Sequence, residues 1–195
     1  MWDPTSIEKI KRYLKLTEGL DTDDILLEEI IDRAENMLES LTHRRFKAIK
    51  ETRVYDCPED CISLLLDGDL QKVIRLTNGD GTTISADDFR YTPANRGEGN
   101  DRRPAFALQL VNDAYFTYDT NPVQCIKVRA WWGYSMNPDY YTEQTLIRLV
   151  CYLYKQKDSQ VFDSTAFLDG GVMVIPQGMP KSVAEFIQAR GKIYR

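Results

Sequence analysis

The sequence has few residues of the kinds that build catalytic and metal centres. Its 195 residues include one histidine, His43, and four cysteines that are too scattered for a disulfide framework or a four-ligand zinc site. It has no GxxxxGK[ST] phosphate loop, no complete dinucleotide fingerprint and no acid pair at a spacing typical of general acid–base catalysis. These absences favour a protein that is not an enzyme and that needs no cofactor or metal.

Long apolar runs are absent too. No segment approaches the roughly 20 apolar residues that a membrane-spanning helix requires. The N-terminal stretch MWDPTSIEKIKRYL mixes charges with isolated apolar residues, unlike a secretory signal. We therefore expect synthesis in a reducing cytoplasm and no membrane association.

Positive charge is in the minority, and the charges are segregated along the chain. The 25 Lys and Arg against 30 Asp and Glu give a net charge of −5, which excludes a globally basic, nucleic-acid-condensing surface. Acidic residues dominate Glu18 to Leu41, whereas His43 to Arg53 is basic. This polarity suggests contacts between acidic and basic surfaces of neighbouring molecules.

Helical patterns occupy both ends of the sequence. Apolar spacing predicts a short helix over residues 4–15 and a longer one capped by Thr22. The longer helix carries an apolar stripe of Leu27, Ile30, Ile31, Ala34, Leu38 and Leu41. Thr142 is expected to cap a third, largely buried helix, and Pro180 to open a last one. The span 158–179 has no clear period and is expected to be a long loop.

The middle of the chain changes to a β-rich pattern. Segments such as CISLLL, KVIRLT and VQCIKVRAWW are separated by turn clusters, among them Asp67-Gly68. The sequence therefore predicts one α+β domain over 1–195. Its helical bundle of about four helices (4–44 and 140–195) carries an inserted antiparallel β-rich lobe at about 46–134.

Two segments resemble a known family. LLEEIIDRAENMLESLTHRRF, with Ala34, Leu38, Glu39, Thr42, Arg45 and Phe46 at their present spacing, resembles the second helix of the head-tail connector (adaptor, or head-completion) proteins of long-tailed, siphovirus-like phages and prophages. VRAWWGYSMNPDYY resembles their strand-Gly-Tyr-Pro segment, which runs directly into a buried helix.

The resemblance implies a structural virion protein made in the bacterial host cytoplasm and located at the head-tail junction. It would form a ring, typically dodecameric, that binds the portal, extends the DNA channel and offers a platform for neck or tail components such as stopper and tail-completion proteins. The isolated chain could be a monomer, and DNA would pass without sequence-specific binding.

Candidate contact residues follow from this interpretation. The C-terminal helix would reach the portal, or alternatively pack on the protein's own core; the portal candidates are Lys181, Phe186, Ile187, Arg190, Lys192, Ile193, Tyr194 and Arg195. Contacts between acidic and basic surfaces would join the subunits, through Asp23, Asp24, Glu28, Arg44 and Arg45.

Two other functions stay open. A nucleic-acid-binding or regulatory protein would use the basic 44–53 segment, namely Arg44, Arg45, Lys47, Lys50 and Arg53, together with the Trp131-Trp132 corner. A hydrolase would use the clustered carboxylates, although no paired acid and base supports it.

Overall fold

The computed structural model describes residues 5–15, 24–99, 102–156 and 178–191. The elements are α1 (Thr5–Leu14), α2 (Asp24–Thr42), β1 (Ile49–Tyr55), β2 (Ser63–Thr77), β3 (Thr83–Ile84), β4 (Phe89–Thr92), β5 (Ala105–Leu110), β6 (Ile126–Trp132), α3 (Tyr140–Gln156) and α4 (Lys181–Arg190). They confirm the predicted α+β class with four helices and an antiparallel sheet.

The chain divides into two compact units. Met1–His43 and Tyr140–Arg195 form one, the helical unit, and Arg44–Asp139 form the other, the sheet unit. The polypeptide therefore leaves the helical unit once and returns to it once.

Helix α3 is the centre of the helical unit, where it packs against α1, α2 and α4. Its sequence is apolar on most sides, which explains why it is the most enclosed of the described helices. The apolar stripe of α2 is buried as its periodicity predicted, at Leu27, Ile31, Ala34 and Leu38, while Ile30 and Leu41 are half-buried.

The predicted cap of the third helix is wrong: α3 begins at Tyr140, so Thr142 lies buried inside its first turn rather than at the cap. The end of α2 agrees with its pattern. Helix α2 ends at Thr42, whose hydroxyl donates to the carbonyl of Leu38 at 2.6 Å. His43 follows with a left-handed φ of 52°, a conformation common just after a helix C-terminus. The predicted cap Thr22 and the span 158–179 lie outside the described residues.

The sheet unit is one antiparallel sheet with the strand order β1-β6-β2-β5-β4, and β3 pairs with the end of β2. Residues alternate along β6, so that Ile126, Val128, Ala130 and Trp132 are buried and the intervening side chains point the other way. The buried face joins leucines and phenylalanines of β2, β4 and β5 in a single core.

One predicted turn is wrong. Asp67-Gly68 lies inside β2, a 15-residue strand that joins the two segments expected to be separate. Irregular pairing with β5 between Leu65 and Leu70 absorbs these residues. Gly68 leaves room for a neighbouring side chain, since a Cβ there would lie 2.3 Å from Nη1 of Arg53.

Among the described helices, none combines the length and the apolar character of a membrane span.

Candidate functional site

Metal-binding side chains do not converge in the described ranges. No three His, Cys, Asp or Glu side chains there lie close enough together to hold a metal ion. Burial, with smaller effects from Cys61 and Cys125, raises the pKa of Cys57 to about 11. This thiol is therefore protonated at neutral pH and is a weak nucleophile.

The two segments that carry the family resemblance meet each other in the sheet unit. The amide of Tyr134 donates to the carbonyl of Arg45 at 2.7 Å, and that of Ser135 to Phe46 at 3.3 Å. The amide of Ala48 donates back to the carbonyl of Ser135 at 2.9 Å. We call this contact, formed by residues 44–48 and 133–135, the junction.

Arg44 ties the junction to β2. Its Nη1 lies 2.8 Å from both carboxylate oxygens of Asp69, and its guanidinium stacks 5.1 Å from the ring centre of Tyr134. Tyr134 in turn packs edge-on against Phe46, with ring centres 5.9 Å apart. The Arg44 and Asp69 side chains are only 19% and 12% exposed, so the pair is shielded from solvent and is held in one geometry.

Gly133 makes the close approach possible. Its amide donates to the carbonyl of Asp69 at 2.7 Å. A Cβ at this position would lie 2.6 Å from Cα of Ala48 and 2.7 Å from its nitrogen, which is closer than atoms can pack. Only glycine therefore fits where the WWGY segment crosses the backbone of Ala48, just before β1.

A second ionic cluster lies on the sheet at Arg53. Its Nε donates to Glu51 at 2.5 Å and its Nη1 to Asp67 at 3.0 Å, while the guanidinium lies 4.3 Å from the ring centre of Trp132. The hydroxyl of Tyr55 also donates to Asp67, at 2.6 Å. Desolvation alone would raise the pKa of Asp67, but the hydrogen bonds from Tyr55 and Arg53 and the charge of Arg53 lower it.

The C-terminal candidates separate into buried and exposed groups. Phe186 and Ile187 are fully buried, and Phe186 packs 5.1 Å from the ring centre of Tyr141. This burial favours packing on the protein's own core for these two side chains. Lys181 is exposed beside Glu185, at 3.8 Å, and Arg190 stacks over Tyr141 and Phe186. Outside the described residues lie Lys192, Ile193, Tyr194 and Arg195.

The described candidates for the subunit interface are divided between the two units. Asp24 forms an ion pair with Lys11, and Glu28 is exposed on α2. Arg44 is engaged by Asp69, and Arg45 is exposed in the sheet unit. Asp23 lies outside the described residues.

Sequence reasoning missed two sets of residues. Asp69 was not connected with Arg44, because no local pattern links residues so far apart. The outward-facing cations of β2 and β6 were also missed, although the alternation Lys127-Val128-Arg129 signals two of them.

Solved structures share the fold, although no protein-family model and no curated protein matches the chain. A chain in the neck of an empty gene transfer agent particle, computed with C6 symmetry, has a TM-score of 0.58 at 14% identity, covering 97% of this chain and 90% of that chain. A chain in the neck of the native particle, computed with C12 symmetry, has a TM-score of 0.58 at 12% identity, covering 97% and 89%. A chain in the virion of the native particle has a TM-score of 0.58 at 15% identity, covering 100% and 94%. At these identities, the chain shares with them a fold that extends over nearly its whole length.

Proposed function

We propose that this chain is a non-enzymatic structural protein of the head-tail neck of a phage-like particle. The observation that carries the proposal is the likeness to neck and virion chains of a gene transfer agent over 97–100% of this chain. Because the likeness spans both units, it is more than the reuse of one common module. Its location would be the virion, after synthesis in the bacterial cytoplasm.

Ring formation is part of the same proposal. The neighbouring neck structures were computed with C6 and C12 symmetry, which supports a cyclic arrangement, and we propose twelve copies on the portal. Such a ring would extend the DNA channel and offer a platform for further neck or tail proteins. Its subunit contacts would be heterologous, with one surface of each copy meeting a different surface of the next.

Charged surfaces are the candidates for these subunit contacts. The exposed side of α2 carries Glu28, Glu29 and Asp32, with Arg33 as its cation. Arg45, which is exposed in the sheet unit, is the remaining basic candidate from the sequence. We propose that the acidic side of α2 faces a basic surface of the adjacent copy.

For portal binding, we propose Lys181 and Arg190 on α4 together with residues 192–195. Deleting residues 180–195 is a poor test, because it would also remove the buried Val183, Phe186 and Ile187. A chain ending at Gly191 keeps all of α4 and removes only the last four candidates. Lys181→Glu tests the exposed side of the helix.

The experiment is negative-stain imaging of the purified chain mixed with its cognate portal. We expect an added ring with the full-length chain, and a weakened or absent ring with the truncated chain and with Lys181→Glu. A matched control is Lys15→Glu, which makes the same charge change at an exposed position beyond α1. Normal rings from both altered chains would refute C-terminal docking, and no association with the full-length chain would refute the neck assignment.

The alternative based on the basic 44–53 segment has less support. Arg44 is paired with Asp69, and Arg53 with Glu51 and Asp67, so these cations do not form one continuous surface. Lys50 points away from them, on the other side of the sheet.

A further inference from the structure

The outward side of three neighbouring strands presents a group of side chains, the grid, that strand pairing places in rows, although the pairing of β2 with β6 is irregular between Leu70 and Lys72 and between Val73 and Arg75. Strand register places them in three rows across β1, β6 and β2: Lys50–Trp131–Lys72, then Thr52–Arg129–Arg75, then Val54–Lys127–Thr77. The opposite side of β6 is the buried one, with Ile126, Val128, Ala130 and Trp132 in the core. The grid is therefore the solvent-exposed side of a sheet that packs its apolar core on the other side.

Five cations of this grid constitute what we call the basic face: Lys50, Lys72, Arg75, Lys127 and Arg129. All five are exposed, although the chain as a whole is acidic. Glu51 is the one acid in the stretches that pair across the three strands, 49–55, 126–132 and 70–77; it points to the other side and bonds Arg53. Within the ranges that the structure describes, none of the five forms an ion pair, and Arg75 donates only to the Thr83 hydroxyl at 3.3–3.4 Å.

The dimensions of the basic face suit a double helix. It spans two strand spacings, about 10 Å, and four residues along β6, about 14 Å. A DNA duplex presents about eight phosphates over 14 Å of its axis, more than enough to meet five cations. Thr52 and Thr77 add hydroxyl donors between the charges, and hydroxyls are common partners of phosphate oxygens.

The composition of the basic face favours a polyanion over a protein as its partner. Protein interfaces are depleted of lysine and of charge at their centre, whereas this face has a lysine or arginine in every row. Like charges placed side by side repel one another, so the arrangement lowers stability unless an anion neutralises it.

We propose that the basic face binds the phosphate backbone of double-stranded DNA without reading its sequence. The inference goes beyond the neck assignment and does not depend on ring formation, since one chain carries the entire face. It replaces the 44–53 segment by a surface to which that segment contributes one cation, Lys50, and one hydroxyl, Thr52.

The test is fluorescence anisotropy of a labelled random-sequence duplex titrated with the full chain at several salt concentrations. If all five cations displace counterions, the plot of log K against log salt has a slope of about −4.5, and affinity falls about 500-fold between about 50 and about 200 mM salt. Duplexes of unrelated sequence should bind equally well.

Two double variants on different strands test the assignment. Lys127→Gln/Arg129→Gln and Lys72→Gln/Arg75→Gln should each reduce the slope to about −2.7, so that affinity falls only about 40-fold over the same salt range. The control is Arg12→Gln/Arg33→Gln, which changes net charge equally at exposed positions of the helical unit. Circular dichroism confirms that each variant is folded. If the variants on the two strands reduce the salt dependence equally, a local distortion of one strand does not explain the effect.

Three results would overturn the proposal. The first is no binding by the wild-type chain at the lowest salt. The second is a control that loses as much salt dependence as the face variants, because net charge alone would then explain binding. The third is a wild-type chain that does not bind DNA, together with a face variant that loses self-association or portal binding. That result would show that the basic face binds an acidic protein surface. Portal rings without DNA binding would refute this inference and leave the neck assignment standing.

Discussion

Truncating Phe186 separates the two interpretations of the C-terminal helix. Its side chain is 0% exposed and lies edge-on to Tyr141, at 5.1 Å between ring centres. Replacing a buried phenylalanine by alanine leaves a cavity and costs about 3–5 kcal/mol of unfolding free energy. In a protein of this size, each kcal/mol shifts Tm by about 2–4 °C, so we expect Phe186→Ala to lower Tm by roughly 6–20 °C.

The assay is thermal unfolding followed by the helical circular dichroism signal, with portal binding measured separately at a temperature where the variant is folded. Gln188→Ala is the matched control, since Gln188 is exposed on the same helix and its loss should change stability by no more than about 0.5 kcal/mol. An unchanged Tm with lost portal binding would refute the core assignment and make Phe186 a portal contact.

Three further outcomes follow from the sheet unit. Gly133→Ala should destabilise it by about 1–3 kcal/mol in urea unfolding, because the new methyl group would overlap the backbone of Ala48. Arg44→Ala should cost about 1.5–3 kcal/mol, since it leaves the shielded carboxylate of Asp69 without its charged partner. The lowered pKa of Asp67 means that its stabilising contribution is complete above its ordinary value of 3.8 and is lost as pH falls through the lower folded value. Asp67→Asn should therefore flatten the acid side of the stability profile.

A different result would contradict each of these three predictions. Wild-type stability in Gly133→Ala would mean that the crossing at the junction is looser than its geometry indicates. In Arg44→Ala, an additional Asp69→Asn change should recover part of the loss; no recovery would show that the ion pair is unimportant. An Asp67→Asn variant whose stability falls with acid as steeply as that of the wild type would show that other carboxylates govern this range.

Sequence periodicity was sufficient to predict which residues are buried where one side of a helix or strand is apolar and the other side is polar. Leu27, Ile31, Ala34 and Leu38 repeat at helical spacing, and their burial in α2 follows directly. The same holds for the alternation in β6. In both elements the physical cause is local, because the pattern itself defines which side is buried.

Sequence periodicity failed where contacts between residues distant in the sequence determine the structure. Asp67-Gly68 has turn composition, yet it continues β2, because Arg53 occupies the space above Gly68 and pairs with Asp67. The burial of Phe186 likewise depends on the facing surface of α3, which the sequence of α4 does not contain. Long-range pairs such as Arg44 with Asp69 leave no signal in a single sequence.

The junction also has an evolutionary consequence. The sheet unit begins and ends at one place, where Ala48 and Ser135 are hydrogen-bonded at 2.9 Å. A segment with adjacent ends can be gained, lost or exchanged in one genetic event without rerouting the remaining chain, and this one lies in the size range of domains that fold alone. The sheet unit therefore has the form of an exchangeable cassette, in which Gly133 and the other residues that join its ends are constrained by their close approach.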